Sequence, residues 1–192
     1  MTPAERYLQV ARLHIECLDR GFLATLGERF LALMYEAMDR SRGTVLLTEE
    51  EGERVTGFIT GGNGMGEIYR EMARRPLRLA AALAPALVRP AKMRRILEIV
   101  RYSSSRPLAD GVPEAELLSL AVSPKSRGTG IAERLYRRLV AEFLARGVDT
   151  FRITVGEALL PAHRFYSRMG AEVVGELEVH GGERSKVYVH RL

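Results

Sequence analysis

The sequence predicts a mixed α/β fold. Three observations lead there. Two amphipathic helical stretches open the chain, a pair of short β-prone runs follows, and beyond a long arginine-rich helical stretch the pattern alternates β-α-β-α-β-β.

Residues 4–19 carry Leu8, Ala11, Ile15 and Leu18 at helical spacing, and Gly21 interrupts them. Residues 22–39 read as a second helix, with Phe30, Leu31, Met34 and Tyr35 on one face and Gly43 as its stop. Residues 44–48 are a short strand, 49–53 an acidic turn around Gly52, and 55–60 a second strand, so the two form a hairpin. The glycine-rich run 61–66 is a break. Residues 67–102 look helical, with Pro76, Pro85 and Pro90 as breaks or helix starts and Leu77, Leu79, Leu83 and Leu87 on apolar faces. Residues 103–113 are a loop and 115–122 a strand. After a turn at 124–130, residues 131–146 form a helix with Leu135, Leu139 and Phe143 at four-residue spacing and Gly147 as its stop. A strand at 148–155 and a short helix at 161–169, ended by Gly170, come next. Strands at 171–179 and 186–191 flank a turn from His180 to Glu183.

With 192 residues the chain is long enough for one domain with a real core and thin for two. At 46% apolar and 28% charged residues, its composition is that of a soluble globular protein. No apolar run is long enough to span a membrane, and the first residues lack a basic start followed by an apolar stretch. The single cysteine, Cys17, excludes an internal disulfide and reads as a small buried apolar residue. The expected compartment is the reducing cytoplasm. The net charge of +5 is unevenly placed. Between Arg70 and Arg106 stand ten basic residues against Glu71 and Glu98, a local net of +8 that leaves −3 on the rest.

The segment from Glu116 to Arg146 carries the chemistry. A strand runs into Ser123-Pro124, then Lys125-Ser126-Arg127-Gly128-Thr129-Gly130, and a long helix begins at once. A helix N-terminus offers unpaired N–H groups and a positive dipole end, and glycines let an anion come close to the backbone. Together they make a phosphate cradle. The turn is neither a Walker loop nor GxGxxG, and a plain strand-to-helix connection is the competing reading.

The run Arg127-Gly128-Thr129-Gly130-Ile131-Ala132 fits Arg/Gln-x-x-Gly-x-Gly/Ala, with Pro124 three residues ahead of it. This segment resembles the cofactor motif of the GNAT acyltransferase superfamily. About 30 residues on, Ala162-His163-Arg164-Phe165-Tyr166-Ser167-Arg168-Met169-Gly170 resembles that family's A-x-x-F-Y-x-x-x-G helix. Order and distance make the pair far more specific than either alone. The resemblance covers residues 115–179, and more faintly 22–62.

The resemblance implies a mostly antiparallel central sheet flanked by helices, and an acetyl-coenzyme A-dependent N-acetyltransferase. The pantetheine arm would lie between splayed strands 115–122 and 149–155, against backbone groups of Leu120 and Val122. Arg127 and the amides of Gly128, Thr129, Gly130, Ile131 and Ala132 would hold the pyrophosphate. Tyr166 would protonate the leaving thiolate. Its alternative is core packing with the hydroxyl satisfied locally. An ammonium must lose a proton before it attacks, so a base is needed. Glu116 is the candidate and Glu114 the runner-up; the alternative for Glu116 is a solvent-facing carboxylate near a strand end. Regular alternation would put Glu116, Leu118, Leu120 and Val122 on one face, and a bulge would break that parity.

The chain departs from the family pattern in places. Leu159 stands where the family often has a cofactor-contacting Asn, and Ala171 where it usually has Phe. The family's first strand would be missing or very short. Residues 61–113 replace a short linker with a basic, leucine-bearing insertion. It is readable as a lid shaping the acceptor site, as a polyanion- or membrane-surface element, or as solvated helices packed on the core. His14, His163, His180 and His190 lack metal spacing, so no metal is expected. His163 reads as a plain surface histidine, and His180 could edge the acceptor pocket by analogy alone.

The leading reading is acetylation of a small-molecule primary amine, such as an amino sugar or a metabolite. Acetylation of a protein N-terminus or lysine, binding of polyanions or membrane surfaces through the insertion, and cofactor sensing without turnover are the alternatives. A nucleic-acid partner is not expected. A homodimer and peripheral membrane contact are both compatible with the chain.

Overall fold

The computed structural model describes residues 1–18, 21–87, 112–179 and 183–192. Helix α1 (Pro3–Cys17) starts at a proline and carries a capping box: Thr2 Oγ1 accepts from Glu5 N, and the Glu5 carboxylate accepts from Thr2 N. A 3-10 turn (Phe22–Leu26) leads to α2 (Glu28–Arg40). The continuous helix expected over 22–39 is broken because Gly27 adopts φ +89°, which no helix continues through.

Strands β1 (Thr44–Glu51) and β2 (Arg54–Gly62) form the expected hairpin but run longer. Glu49, Glu50 and Glu51 pair with Gly57, Val55 and Arg54, so only Gly52 and Glu53 make the bend. Helices α3 (Gly66–Ala73) and α4 (Pro76–Leu87) follow; Pro76 starts α4, whereas Pro85 lies inside it. Ile68, Met72 and Ala82 are buried against α2, Leu79 and Leu83 pack on the same core, and Leu77 is 85% exposed. The described part of the insertion is thus packed on the body of the protein. Pro90 and most of the basic run, at 88–111, lie outside the described residues, as does His180.

Strand β3 (Glu116–Val122), α5 (Ile131–Ala145), β4 (Thr150–Gly156), α6 (Leu160–Arg168), β5 (Glu172–Val179) and β6 (Glu183–Arg191) complete the order. The sheet runs β1-β2-β3-β4-β6-β5. Only β3–β4 is parallel; the other neighbours are antiparallel. Among the described residues no strand precedes α1.

Each face of the sheet carries one core. On the first, Val10, Leu31, Met34, Tyr35 and Phe58 join α1 and α2 to the strands. On the second, Ile59, Leu135, Tyr136, Leu139, Phe143 and Phe151 join α5. Helix α5 lies directly on β2: a Cβ at Gly57 would come within 2.7 Å of Ile131, and one at Gly61 within 2.6 Å of Phe143. Glycine supplies the room.

A bulge in the β2–β3 pairing reassigns faces. Thr60 pairs with Ser119 and Gly61 with Leu117, so Leu118 is skipped. Ala115 and Leu117 belong to the second core, and Leu120 and Val122 pack against that same core. Leu118 and Ala121 pack in the first. Glu116 therefore does not share a face with Leu120 and Val122, as regular alternation required.

Candidate active site

The two parallel strands part almost at once. Glu116 pairs with Arg152 and Leu117 with Ile153, and no further pair joins β3 to β4. The rest of β3 keeps its hydrogen bonds to β2 alone. Ser123 N donates to Thr56 O, so alternation turns the backbone groups of Ala121 and Ser119 toward β2 and those of Leu120 and Val122 toward the gap. Exposed strand edges of this kind accept an extended ligand by backbone pairing. The Val122 carbonyl already accepts weakly from Arg127 Nε at 3.4 Å and from Cys17 Sγ at 3.5 Å. Cys17 is half-buried at the end of α1. Burial pushes its thiol pKa up, opposed by the hydrogen bond from Arg127.

The gap leads to the turn before α5. Gly128 and Gly130 take φ +80° and +79°, conformations that other residues rarely adopt. Among the described residues no side chain caps α5, so its first N–H groups are open to an incoming group. The Thr129 hydroxyl donates back to Ser126 O at 2.7 Å, closing the turn. A cavity of about 240 Å³ opens here, lined by Val122, Arg127, Gly128, Gly130, Phe165 and Arg168. Arg127 is exposed. Arg168, ion-paired to Glu133 at 3.0 Å, adds a second guanidinium. Unpaired amides, a helix dipole and two cations at one mouth suit a pyrophosphate. A larger groove of about 610 Å³ lies elsewhere, between α1, α2 and α4, and none of these residues lines it.

Tyr166 sits on α6 inside the second core, ringed by Tyr136, Phe165 and Tyr188. Burial pushes its phenol well above the ordinary range, so it stays protonated near neutral pH. Its hydroxyl has no hydrogen-bond partner among the described residues, and it is not among the polar atoms sealed from solvent. Local satisfaction of that hydroxyl, the competing expectation, is not what the packing provides.

Glu116 is half-buried rather than solvent-facing. Oε2 accepts from Arg152 Nη2 at 2.7 Å and Oε1 from the Thr154 hydroxyl at 3.0 Å. Arg152 also reaches Pro113 O, tying the approach to β3 against β4. Phe151, Ile153 and Val155 belong to the second core, so Arg152, Thr154 and Glu116 stand on the first-core face. Glu114 is exposed. Leu159 is exposed beside the start of α6, and Ala171 is buried in the second core.

Among the described residues no three His, Cys, Asp or Glu side chains cluster to hold a metal. His163 is not a plain surface residue. Its ring nitrogens meet the Tyr188 hydroxyl at 2.8 Å and Gly156 O at 3.1 Å, fixing α6 to the sheet. His190 Nδ1 meets the Tyr136 hydroxyl at 2.9 Å, and burial lowers the His190 pKa. His14 is buried with Nδ1 2.6 Å from the Tyr35 hydroxyl, and burial pulls its pKa down to about 4.

Two clusters escaped sequence reasoning. Glu36, on α2, receives Arg40 at 3.1 Å, Arg78 at 2.8 Å and Arg75. Much of the described basic charge is thereby consumed in holding α4. The second cluster, Ser119 with Thr60, lies where β3 leaves β4. Neither has a spacing that a sequence displays.

The family model described as acetyltransferase (GNAT) family matches residues 9–171. A solved GNAT-family protein from Desulfovibrio desulfuricans is similar at 16% identity over 97% of this chain and 92% of its own, with a TM-score of 0.58. An aminoglycoside 6'-N-acetyltransferase solved with coenzyme A is similar at 15% identity over 95% and 88%, with a TM-score of 0.57. A ribosomal-protein-alanine N-acetyltransferase from Brucella melitensis is similar at 18% identity over 82% and 74%, with a TM-score of 0.52. At these identities the likeness is one of fold. No curated protein matches the chain.

Proposed function

Because the chain belongs to the acetyltransferase (GNAT) family, we propose that it transfers an acetyl group from acetyl-coenzyme A to a small-molecule primary amine. The carrying observation is the β3–β4 gap, open from Leu118 onward and leading straight to the uncapped start of α5. Coenzyme A supplies the activated acetyl thioester. Backbone groups of Leu120 and Val122 hold the pantetheine arm. Arg127 and the amides from Gly128 to Ala132 hold the pyrophosphate.

The amine nitrogen attacks the thioester carbonyl, a C–N bond forms, and the C–S bond breaks. Tyr166 hydrogen-bonds the departing sulfur and supplies its proton. Glu116 accepts the amine's proton through Oε1, whose present donor is the neutral Thr154 hydroxyl, while Arg152 holds Oε2. The amine approaches from the face of the sheet on which the Glu116 carboxylate stands, bonded to Arg152 and Thr154.

Acetylation of a protein N-terminus or lysine is the second reading, since solved structures of similar fold include enzymes of both acceptor kinds. A polyanion- or membrane-binding role is less well supported, because Arg75 and Arg78 are engaged by Glu36 and Arg74 by Glu71. Among the described residues no helix is long and apolar enough to cross a membrane.

Calorimetry with acetyl-coenzyme A tests the cofactor, with Gly130→Glu as the blocked control. Thiol release with kanamycin, spermidine and an alanine-initiated peptide tests the acceptor. Binding by wild type alone, followed by turnover with one of the two small amines, is the expected result. No binding by wild type overturns the reading, and turnover confined to the peptide favours the second.

A further inference from the structure

The groove of about 610 Å³ between α1, α2 and α4 has no part in the acetyl-transfer chemistry, and no residue lines both it and the 240 Å³ cavity at the start of α5. The Arg12–Glu28 and Arg6–Asp39 pairs run α1 antiparallel to α2, and Arg78 reaches back to Glu36 from α4. Leu33 and Ala82, both buried, form the apolar floor between these helices. Ala32 and Ala81 end at Cβ, so the space above that floor stays open. A volume of this size is that of a small-molecule site.

The polar groups at its mouth are unbalanced. Arg29, Arg40 and Arg78 line it, and Glu36 is the one carboxylate among the lining residues. Three guanidiniums, those of Arg40, Arg75 and Arg78, share Glu36, so the pairing that holds α4 still leaves positive charge in excess. Arg29 is exposed and has neither an ion pair nor a hydrogen-bond partner among the described residues. The neutral polar groups are already engaged. The Tyr7 hydroxyl donates to Asp39, and the Thr2 hydroxyl serves the α1 cap. The hydrogen-bonding capacity that remains is guanidinium N–H, which only donates.

An apolar trough with a donor mouth selects its occupant by charge. A cation is repelled. The basic run of this chain is no match either, since residues 88–111 carry six basic residues against Glu98 and Asp110. The complement is an anion with an apolar tail, and a guanidinium fork takes a carboxylate through two parallel N–H···O bonds.

We propose that this groove is a binding site for a single-chain carboxylate. Its head pairs with Arg29 in the first turn of α2, and its tail lies over Ala32 and Leu33 one turn on, between Ala81 and Ala82 of α4 and Leu8 of α1.

The test titrates the full chain with decanoate, kept below its micelle concentration, and reads calorimetry and the signal of a carbon-13 carboxyl label. It needs no coenzyme A, so it stands apart from the acetyl-transfer reading. One decanoate binds per chain and raises the melting temperature. Acetate, which has the head alone, and decanol, which lacks the charge, bind at least about tenfold more weakly. Arg29→Gln breaks no pair, melts like wild type without ligand, and weakens decanoate about tenfold. Ala81→Phe fills the trough from an exposed position and abolishes binding. Where Ala81→Phe fails to fold, Arg29→Gln decides alone. Absence of decanoate binding, decanol bound as tightly as decanoate, or undiminished binding in either folded variant overturns the proposal. So does capture by phosphatidylglycerol vesicles without binding of free decanoate, which would assign this face to a membrane surface.

Discussion

Glu116 and Ser119 stand three residues apart on β3 yet face the same side of the sheet. A regular strand would put them on opposite faces. The bulge at Leu118 removes one step of the alternation, so the carboxylate bonded to Thr154 and the hydroxyl bonded to Thr60 flank the point where β3 and β4 separate. Leu120 and Val122 keep their side chains on the opposite face and their backbone groups on the gap. One skipped residue thus sorts the strand into the edge proposed to hold the cofactor and the face proposed to meet the acceptor.

Glu116→Gln tests the acceptor face. The amide retains the Thr154 contact and loses both the charge and the capacity to take a proton. Amine turnover should fall at least about a hundredfold. Leaving Arg152 without its partner should cost about 2 kcal/mol, reduced from a sealed pair because both side chains keep some water contact. Thiol-release kinetics and chemical denaturation separate the two effects, and a turnover loss no larger than the stability loss explains would remove Glu116 from the base role.

Tyr166→Phe keeps the ring in its aromatic cluster and removes only a hydroxyl with no partner among the described residues. Melting temperature and acetyl-coenzyme A affinity should stay near wild type while kcat drops about a hundredfold. Equal losses in kcat and stability would point to packing instead.

The parts legible in the sequence are those whose cause is local. The Gly128–Gly130 turn, the start of α5 and the tyrosine helix are set by residues close to one another along the chain. Their bounds fall within a residue or two of expectation. The break at Gly27 was illegible because residues 22–26 and 28–40 share one helical period across it. Strand parity was illegible because the bulge depends on how β2 registers against β3. His163 looked like a surface residue because its partners, Tyr188 and Gly156, come from other elements. The engagement of Glu36 by Arg40 of α2, Arg78 of α4 and Arg75 just before α4 could not be read from a charge count.

Gly130→Ala should both strain the turn and weaken the anion cradle. A Cβ there meets little but Arg134 Nη1 at 3.4 Å, so the cost is conformational rather than steric. Forcing a left-handed residue costs about 1–2 kcal/mol. Denaturation should show that loss, and calorimetry should show acetyl-coenzyme A affinity reduced about tenfold or more, since relaxing the strain reorients the amides. Full affinity with reduced stability would separate the turn's geometry from cofactor binding.

Glu36→Gln should loosen α4 from α2. Burial works to raise the Glu36 pKa, but the hydrogen bonds from Arg78 and Arg75 outweigh it, and the net shift is downward. A carboxyl with a depressed folded pKa contributes stability that is complete above the ordinary value near ~4.3 and is lost as pH falls through the lower folded value. Arg40 and Arg78 are more than half exposed, so the variant should lose only about 1–2 kcal/mol near neutral pH. Its stability should then fall less steeply than wild type as the pH drops below ~4.3. Parallel acid-unfolding curves for the two proteins would show that the arginines do not hold this charge.

His14 should give a separate step at higher pH. In the unfolded chain it takes a proton near ~6.5, whereas the buried ring, packed on Phe58 and bonded to Tyr35, resists protonation down to about 4. The unfolded state therefore binds more protons between those values, and stability rises with pH across that window. The contribution is complete above ~6.5, is lost progressively as pH falls to about 4, and amounts to about 3 kcal/mol. His14→Gln removes the titration while leaving an acceptor for the Tyr35 hydroxyl. Denaturation at half-unit pH steps should show the wild-type slope exceeding the variant's by up to about 1.4 kcal/mol per pH unit between these limits. Superimposable slopes would mean that the imidazole takes its proton in the folded protein as readily as in the unfolded chain.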